Sequence, residues 1–291
     1  MQFLTNNKVI AIVVAYNPDI NLLNKNIGII SNQVEKIVVV NNGYGELIID
    51  SDYKEIVYAI NNNENLGISK ALNIGINYAV TNNYSYALLL DQDSTLGDDA
   101  VNIMLKGFIH DKVGVVVPRI SYINGNLDKI DESNTFNYVT LAITSGSLVD
   151  LNVMKLINWK EGKIFNEDFF IDCVDFDFSL ELKASGYNIL KSTKAILYQR
   201  LGEMTEIKFL FFKICPTNHS ELRRYYITRN RLYMWKKYFR REFQFVVKDI
   251  LYSCRELLIL TFFEKNRIAK FKYMKKGICD FTQNKVGKIE K

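Results

Sequence analysis

Three prolines and four cysteines in 291 residues leave this chain little to stiffen its connections or crosslink them. A Pro-rich spacer between domains is excluded, and no tandem repeat is present either. Cys173, Cys215, Cys254 and Cys279 are scattered, without the paired spacing of a metal site; reduced thiols in a cytosolic chain follow most simply. The opening Met1-Gln2-Phe3-Leu4-Thr5-Asn6-Asn7-Lys8 lacks a basic end followed by an apolar run, so no secretion signal is visible. Long uncharged runs are lacking too. The most apolar later stretch, 243–263, is broken by Lys248, Asp249, Arg255 and Glu256, and four charges in a bilayer core argue against a transmembrane helix.

What is present is a globular composition, 48% hydrophobic and 24% charged, so disorder is expected only near the termini. The length admits one large α/β domain with an appendage, or two small domains. Charge is unevenly placed. From Glu221 to the end 19 Lys/Arg face 7 Asp/Glu, a balance of +12, which leaves −7 before it. An acidic body carries a basic, aromatic-rich tail.

The first half alternates apolar runs with helical patterns, as strands feeding helices in a mostly parallel sheet do. Strands are expected over 9–15, 36–40, 56–60, 86–90 and 113–117, and a helix over 68–80, where Ile68, Ala71, Leu72, Gly75, Ile76, Ala79 and Val80 share a face. Strands apolar along their whole length are covered on both sides, and ligands of open α/β sheets sit beyond the carboxyl ends of the strands. Those ends read Tyr16-Asn17, Asn41-Asn42-Gly43, 61–67 and Asp91-Gln92-Asp93, so polar residues gather where a ligand belongs. Further on, Thr144-Ser145-Gly146-Ser147 reads as a small-residue turn. Residues 174–184 alternate apolar and polar, which by period alone predicts a strand. Basic amphipathic helices are expected from about Glu221.

Asp91-Gln92-Asp93 follows an apolar strand directly, which puts two carboxylates at a loop mouth. With phosphate oxygens and water they suit a hard divalent cation, Mg²⁺ or Mn²⁺. A solvated turn before a helix near Asp98, capped by Ser94 or Thr95, is the competing reading.

The ordered motifs resemble those of the inverting glycosyltransferases of family 2, and within them the bacterial rhamnosyltransferases. They are Val13-Val14-Ala15-Tyr16-Asn17, Val38-Val39-Val40-Asn41-Asn42-Gly43, Asn65-Leu66-Gly67 with Ala71, Asn73 and Gly75, and Leu89-Leu90-Asp91-Gln92-Asp93-Ser94. Ser145-Gly146-Ser147, Phe169-Phe170-Ile171-Asp172 with Val174-Asp175, and Arg224-Tyr225-Tyr226 with Arg229-Asn230 follow. The resemblance implies an α/β protein of the GT-A fold, a Rossmann-like mixed, mostly parallel sheet flanked by helices, with a helical basic C-terminal region. It implies a catalytic domain over 1–220, its nucleotide-sugar half about 1–95 and its acceptor half about 96–220, and a basic helical region over 221–291.

It also implies roles. Ala15, Tyr16 and Asn17 would surround the nucleobase, the tyrosine stacking on it unless it simply ends a buried strand. Asn41 stands where the family usually has an aspartate that accepts a bond from the base; an amide oxygen still accepts, without the charge. Asn65, Gly67 and Lys70 would lie against the nucleotide, Lys70 facing a phosphate or solvent. Asp93 would touch the metal, and Asp91 with Gln92 the ribose or a metal-bound water. Asp175 would be the base that takes the acceptor proton, with Asp172 its nearest rival and Asp177 a weaker one; a carboxylate in the first helical turn also suits the helix dipole. The resemblance places Asp175 at a helix start, against the strand that alternation predicts. Gln199, in 197–202, stands where a metal-binding histidine is expected. Ser147, His219, Arg224, Tyr225 and Arg229 would reach the acceptor or the diphosphate, guanidinium being suited to phosphate; a solvated basic face, or local capping by His219, is the alternative. His110 has no supporting context.

The partners implied are a nucleotide-sugar donor, dTDP-rhamnose or a UDP-sugar, and a saccharide or lipid-linked saccharide acceptor in cell-surface polysaccharide synthesis. The basic aromatic tail, with Trp235, Tyr238, Phe239, Phe243, Phe245 and Phe271, fits peripheral attachment to anionic lipid, hence a cytoplasmic protein at the inner face of the plasma membrane. Packing on the catalytic domain or a dimer interface would use the same residues. No nucleic-acid module is present, so nucleic acid is not expected as a partner. A nucleotide-binding protein without catalysis is the remaining alternative, suggested by Asn41 and Gln199.

Overall fold

The computed structural model describes residues 8–122, 128, 130, 132–157, 163–199, 207–209, 212–214 and 216–290. The chain forms two compact units, one of Met1–Glu167 with Val174–Arg200, the other of Asp168–Cys173 with Leu201–Lys291. Cys215 and 200–202, the end of the late-loop motif, lie outside the described residues.

The first unit is built on one mixed sheet. Its strands are β1 (Val9–Ala15), β2 (Lys36–Asn41), β3 (Val57–Asn61), β4 (Tyr86–Asp91), β5 (Thr95–Leu96), β6 (Val113–Tyr122), β7 (Phe136–Val139), β8 (Leu148–Asp150) and β9 (Asn188–Gln199). They lie in the order β3-β2-β1-β4-β8-β6-β9-β5, with β7 also on β9. β3, β2, β1 and β4 run parallel, and β8 is antiparallel to both β4 and β6. All seven residues of β1 are buried, as expected of a strand covered on both faces.

Helices α1 (Ile20–Ser31) and α2 (Ile68–Thr81) make the crossovers on either side of β1. The connection through α1 steps from β1 to β2, and that through α2 steps back from β3 to β4. Right-handed crossovers in opposite directions put the two helices on opposite faces. Leu23, Ile27 and Ile30 of α1 therefore share a core with Val9, Ala11 and Val13 of β1 and with Val101 and Met104 of α3 (Ala100–Leu105). On the other face α2 comes so close to β1 that a Cβ at Gly75 would sit 2.3 Å from Ile12 Cγ2.

Two readings of local pattern are revised. Beyond the short α4 (Leu151–Leu156), residues Val174–Ala184 form a helix, α5, as the resemblance implied and against the strand that alternation alone predicts. Asp177 is buried alongside Phe178, Ser179 and Leu180, so the polar positions of the alternation are not a solvent face. Neither Ser94 nor Thr95 caps the next helix: Thr95 is in β5, pairing with Tyr198 of β9, and Asp99 precedes α3 with φ 55° and no side-chain cap.

The second unit contains the hairpin β10 (Ile207–Phe209) and β11 (Phe212–Ile214) and the helices α6 (Glu221–Tyr238), α7 (Phe243–Phe263) and α8 (Arg267–Thr282). The Ser220 hydroxyl accepts from Arg223 N and so caps α6. α8 meets α6 at Gly277, where a Cβ would be 2.8 Å from the Tyr225 carbonyl oxygen. Among the described residues no helix is long and apolar enough to cross a membrane.

Gly75→Val is expected to lower stability by about 1–3 kcal/mol, the usual cost of overpacking, and Ile12→Ala in the same chain to restore part of it. Urea denaturation midpoints of the single and double variants measure this; additive losses would mean that Gly75 and Ile12 do not press on each other.

Candidate functional site

In the first unit the sheet order β3-β2-β1-β4, all parallel, reverses the direction in which successive strands are added between β1 and β4, where α/β sheets open a crevice for ligands. The acidic turn stands at the end of β4 and Tyr16 at the end of β1. Gln92 joins them. Its Oε1 accepts from Tyr16 N at 2.6 Å and its Nε2 donates to Tyr16 O at 3.2 Å. A side-chain amide thus satisfies both main-chain groups of one residue where strand pairing has stopped.

The turn is pinned from two other directions. Asn26 of α1 donates to Gln92 O at 3.2 Å while accepting from Thr95 Oγ1 at 2.8 Å. Ser145 Oγ accepts from Asp91 N at 3.1 Å and donates to buried Ser94 Oγ at 2.9 Å. Gly146 makes this approach possible, with φ 82° and its N–H donating to Leu89 O at 2.7 Å. Ser147 is buried and donates to Ile143 O, so its hydroxyl belongs to the turn. With the backbone so held, Asp93 is exposed and Asp91 half-buried. Tyr16 is 45% exposed, which rules out a buried strand end and leaves its ring open to stacking.

Asparagines build the rest of this edge. Asn41, buried, donates through Nδ2 to Gly45 O at 2.6 Å and Asn61 Oδ1 at 2.9 Å, and its Oδ1 accepts from Gly43 N at 3.2 Å. Asn42 ties Asn62, Asn65, Leu66 N and Gly67 O together. Asn65 in turn accepts from Gly67 N at 2.9 Å, and Gly67, at φ 86°, starts α2. Lys70 is exposed on the first turn of α2. Asn17, at φ 46°, presses on Gly43, where a Cβ would come 3.2 Å from its Oδ1.

Asn73, a motif residue without an expected role, clamps the segment leading to the candidate bases. Its Oδ1 accepts from Ile164 N and Phe165 N, and its Nδ2 donates to Phe165 O and Glu167 Oε1. Asp175 is the second residue of α5, half-buried, with Oδ1 accepting from Phe176 N at 3.0 Å. Gln199, half-buried, ends β9 opposite Tyr122. Among the described residues no three His, Cys, Asp or Glu side chains converge as a metal cage. Two carboxylates on one turn nonetheless fit Mg²⁺, which is commonly held by one or two carboxylates together with substrate phosphates.

Asp172 belongs to the second unit. It and Cys173 both have left-handed backbones, φ 63° and 65°, a costly arrangement for consecutive residues with side chains. Arg223 holds the Asp172 carboxylate at 3.0 Å, and Asn230 Nδ2 donates to Ile171 O at 2.7 Å. Phe170 stacks on Tyr226. Burial pushes the Asp172 carboxyl up, with the Arg223 guanidinium opposing that shift.

Arg224, Tyr225 and Arg229 are not a solvated basic face. Arg229 is fully buried; it donates to Asn230, Tyr225 Oη and Gly287 O and lies over the Tyr225 and Tyr226 rings. Tyr225 Oη donates to Asp280 at 2.8 Å, and burial with this bond pushes its pKa up to about 12. Arg224 pairs with Glu264 at 2.7 Å, and Lys270 with the same carboxylate at 2.8 Å. Burial would raise Glu264; these two cations hold it below the usual carboxylate range. His219 is not the cap of α6, which is Ser220. Burial first, then Arg223 and Arg224 nearby, pushes His219 down to about 4. Sequence periodicity could not reveal these networks, because each closes between residues far apart in the chain; only the clustered Arg-Tyr-Asn composition of α6 hinted at them.

The model of Glycosyl transferase family 2 matches residues 10–169. The chain is 26% identical over 293 residues to the dTDP-rhamnosyl transferase RfbF of Shigella flexneri, covering 94% of each chain. It is 33% identical over 119 residues to a poly-beta-1,6-N-acetyl-D-glucosamine synthase of Staphylococcus aureus, covering 37% of this chain and 26% of the synthase. Among solved structures it resembles GalNAc-T7 with UDP, GalNAc and Mn²⁺, with a TM-score of 0.54 at 11% identity over 66% of this chain and 43% of that one. S. aureus TarS matches with a TM-score of 0.52 at 17% identity, over 77% of this chain and 38% of TarS. The chain therefore spans less than half of either structure, and these two likenesses bear on fold.

Asn230→Ala is expected to cost about 1–3 kcal/mol, since it strips the Ile171 carbonyl of its buried donor; chemical denaturation measures the loss. For His219 the folded value lies below the ordinary 6.5, so the unfolded chain takes up the proton first. Its contribution to stability is therefore lost as pH falls from about 6.5 towards 4. His219→Gln should flatten the stability–pH curve across that window, and an NMR titration midpoint near 6.5 would refute the depressed value.

Proposed function

Since the chain belongs to glycosyl transferase family 2, we propose that this glycosyltransferase moves L-rhamnose from dTDP-rhamnose onto a saccharide acceptor in cell-surface polysaccharide synthesis, with inversion at the anomeric carbon. The observation that carries the donor assignment is the likeness to a dTDP-rhamnosyl transferase along nearly the whole chain, basic helices included. The match to the glucosamine-polymer synthase covers little more than a third of the chain. A UDP-hexose is the alternative donor.

The nucleotide lies across the crevice between β1 and β4. Tyr16, exposed and held by Gln92 through its own main chain, offers its ring to the base. Asn41 keeps an oxygen at the end of β2, already accepting from Gly43 N, as a neutral acceptor for a base N–H. Lys70 and the opening turn of α2 face the diphosphate, whose negative charge the helix start favours. Asp93 and Asp91 are the residues that would hold Mg²⁺ or Mn²⁺ together with the diphosphate, and such an ion would offset the charge that develops on the leaving group.

Transfer is a single in-line displacement. The acceptor oxygen bonds to the anomeric carbon as the bond from that carbon to the donor phosphate oxygen breaks, and the electron pair leaves with the diphosphate. Asp175 takes the acceptor proton, its carboxylate placed by the first turn of α5. Asp172 is the second candidate; its raised pKa suits proton uptake, while its ion pair with Arg223 favours a positioning role. An acceptor carried on a membrane lipid fits the basic second unit best, which would place the enzyme at the inner face of the plasma membrane.

With Mg²⁺ or Mn²⁺ present, dTDP and dTDP-rhamnose should raise the melting temperature, and Asp93→Ala should abolish the shift. Slow release of free rhamnose is the expected activity without acceptor. Asp175→Asn should keep the thermal shift and lose about 10²–10⁴-fold in transfer, as removal of a general base does. Stabilisation by UDP-hexoses but not by dTDP-rhamnose would overturn the donor assignment. No response to any nucleotide would overturn the enzyme reading.

A further inference from the structure

The outer face of α7 is apolar where water should meet it. Phe243, Val247, Leu251, Leu258 and Phe262 are all exposed, the last four-residue pair among them, Leu258 and Phe262, by 59% and 68%. At 3.6 residues per turn the five fall within an arc of about 100° along all 21 residues of the helix. Lys248 and Arg255, both exposed, border that arc. The acidic residues of α7 are turned the other way: Asp249 and Glu256 pair with Arg231, and Glu256 also with Arg224. The outward face is therefore mainly apolar, with Gln244, Cys254 and Thr261 lying among its larger residues, and Lys248 and Arg255 make the one charged edge basic.

Beside this stripe a groove of about 320 Å³ opens between α6, α7 and α8, lined chiefly by Leu232, Trp235, Leu257, Leu260, Met274 and Ile278. Cys254 and Leu257 are exposed groove residues next to the stripe, so the apolar surface continues from the outer face of α7 inwards. At its wall Arg224 Nε is, among the described residues, the one buried side-chain nitrogen or oxygen with no hydrogen-bond partner.

We propose that the second unit docks on an anionic lipid bilayer, α7 lying flat in the headgroup layer, and that one hydrocarbon chain of that bilayer enters the groove. Charge decides the occupant: an apolar stripe whose only charged border is Lys248 and Arg255 suits a negatively charged lipid surface, whereas a second copy would bring the same cations against each other. The proposal deepens the peripheral-membrane element of the function above and is independent of the donor sugar.

The test uses the full chain and vesicles of phosphatidylcholine with or without phosphatidylglycerol. Sedimentation with the anionic vesicles is expected, weakening with salt, and little with phosphatidylcholine alone. Leu251→Glu with Phe262→Glu should lower partitioning at least tenfold while the nucleotide-induced thermal shift is retained. Lys248→Gln or Arg255→Gln should each lower it about fivefold, the effect of one near-surface cation. In a Trp159→Phe background, Trp235 in the groove should be quenched by lipids brominated along their chains. Ile278→Arg should remove the quenching and leave sedimentation within about twofold. Vesicle binding that survives the Leu251 and Phe262 changes overturns the proposal, as does quenching that survives Ile278→Arg. A stable dimer without lipid that Leu251→Glu dissociates also overturns it. Loss of the nucleotide shift in wild-type protein that still binds vesicles would count against the donor reading alone.

Discussion

Seven consecutive side chains of β1 are shut away from water, and most of the first unit can be understood as the consequence. A strand buried on both faces cannot carry a polar side chain along its length without leaving it unpaired. Polar groups are displaced to the strand ends, where hydrogen bonds and solvent are available. The burial also demands helices on both sides, and the tight seat of Gly75 on Ile12 shows how closely the α2 side is drawn in. The chemistry at the mouth of the sheet is thus set out by packing underneath it.

At that mouth the acidic turn and Tyr16 behave as one piece. Gln92 uses its whole amide on the Tyr16 main chain, and Asn26 and Ser145 hold the turn to α1 and to the loop before β8. The carboxylates of Asp91 and Asp93 project from a backbone whose position is over-determined. If the turn receives the cation proposed above, such anchoring would help, because two carboxylates already in place need not be ordered when the ion arrives. Asn41 shows a related economy: the amide that stands where the family has a carboxylate ties together the loop after β2 and the end of β3.

The sheet was legible in the sequence because its strands are uninterrupted apolar runs, but burial does not follow in every case: the run at 56–60 forms the edge strand β3, with Tyr58 47% exposed. β1 begins and ends where its run does, and the runs at 36–40 and 86–90 each gain only one polar residue, Asn41 and Asp91. The α2 periodicity was equally plain. The failures have a physical pattern. Residues 174–184 alternate like a strand, yet Asp177 and Ser179 are buried in a helix, with Ser179 bonded to Ala142, so polarity there reports tertiary partners rather than solvent. The same holds for Asn42, Asn73, Arg224 and Arg229. Each is a polar residue whose partners lie far away in sequence, and local pattern carries no trace of them.

The second unit takes in six residues, Asp168–Cys173, from the middle of the chain. They are held by Arg223, Tyr226 and Asn230 of α6 and by Gly287, whose N–H donates to Asp168 O. On the ribosome these partners emerge after the segment they hold, Arg223 about 50 residues after Asp172 and Gly287 about 120 residues after Asp168. At about 5–20 residues per second, the strained Asp172–Cys173 turn is without its anchorage for several seconds, and Asp168 without its bond to Gly287 for longer. Completion of the fold around the segment just before Asp175 therefore has to wait for α6 and for the chain as far as Gly287.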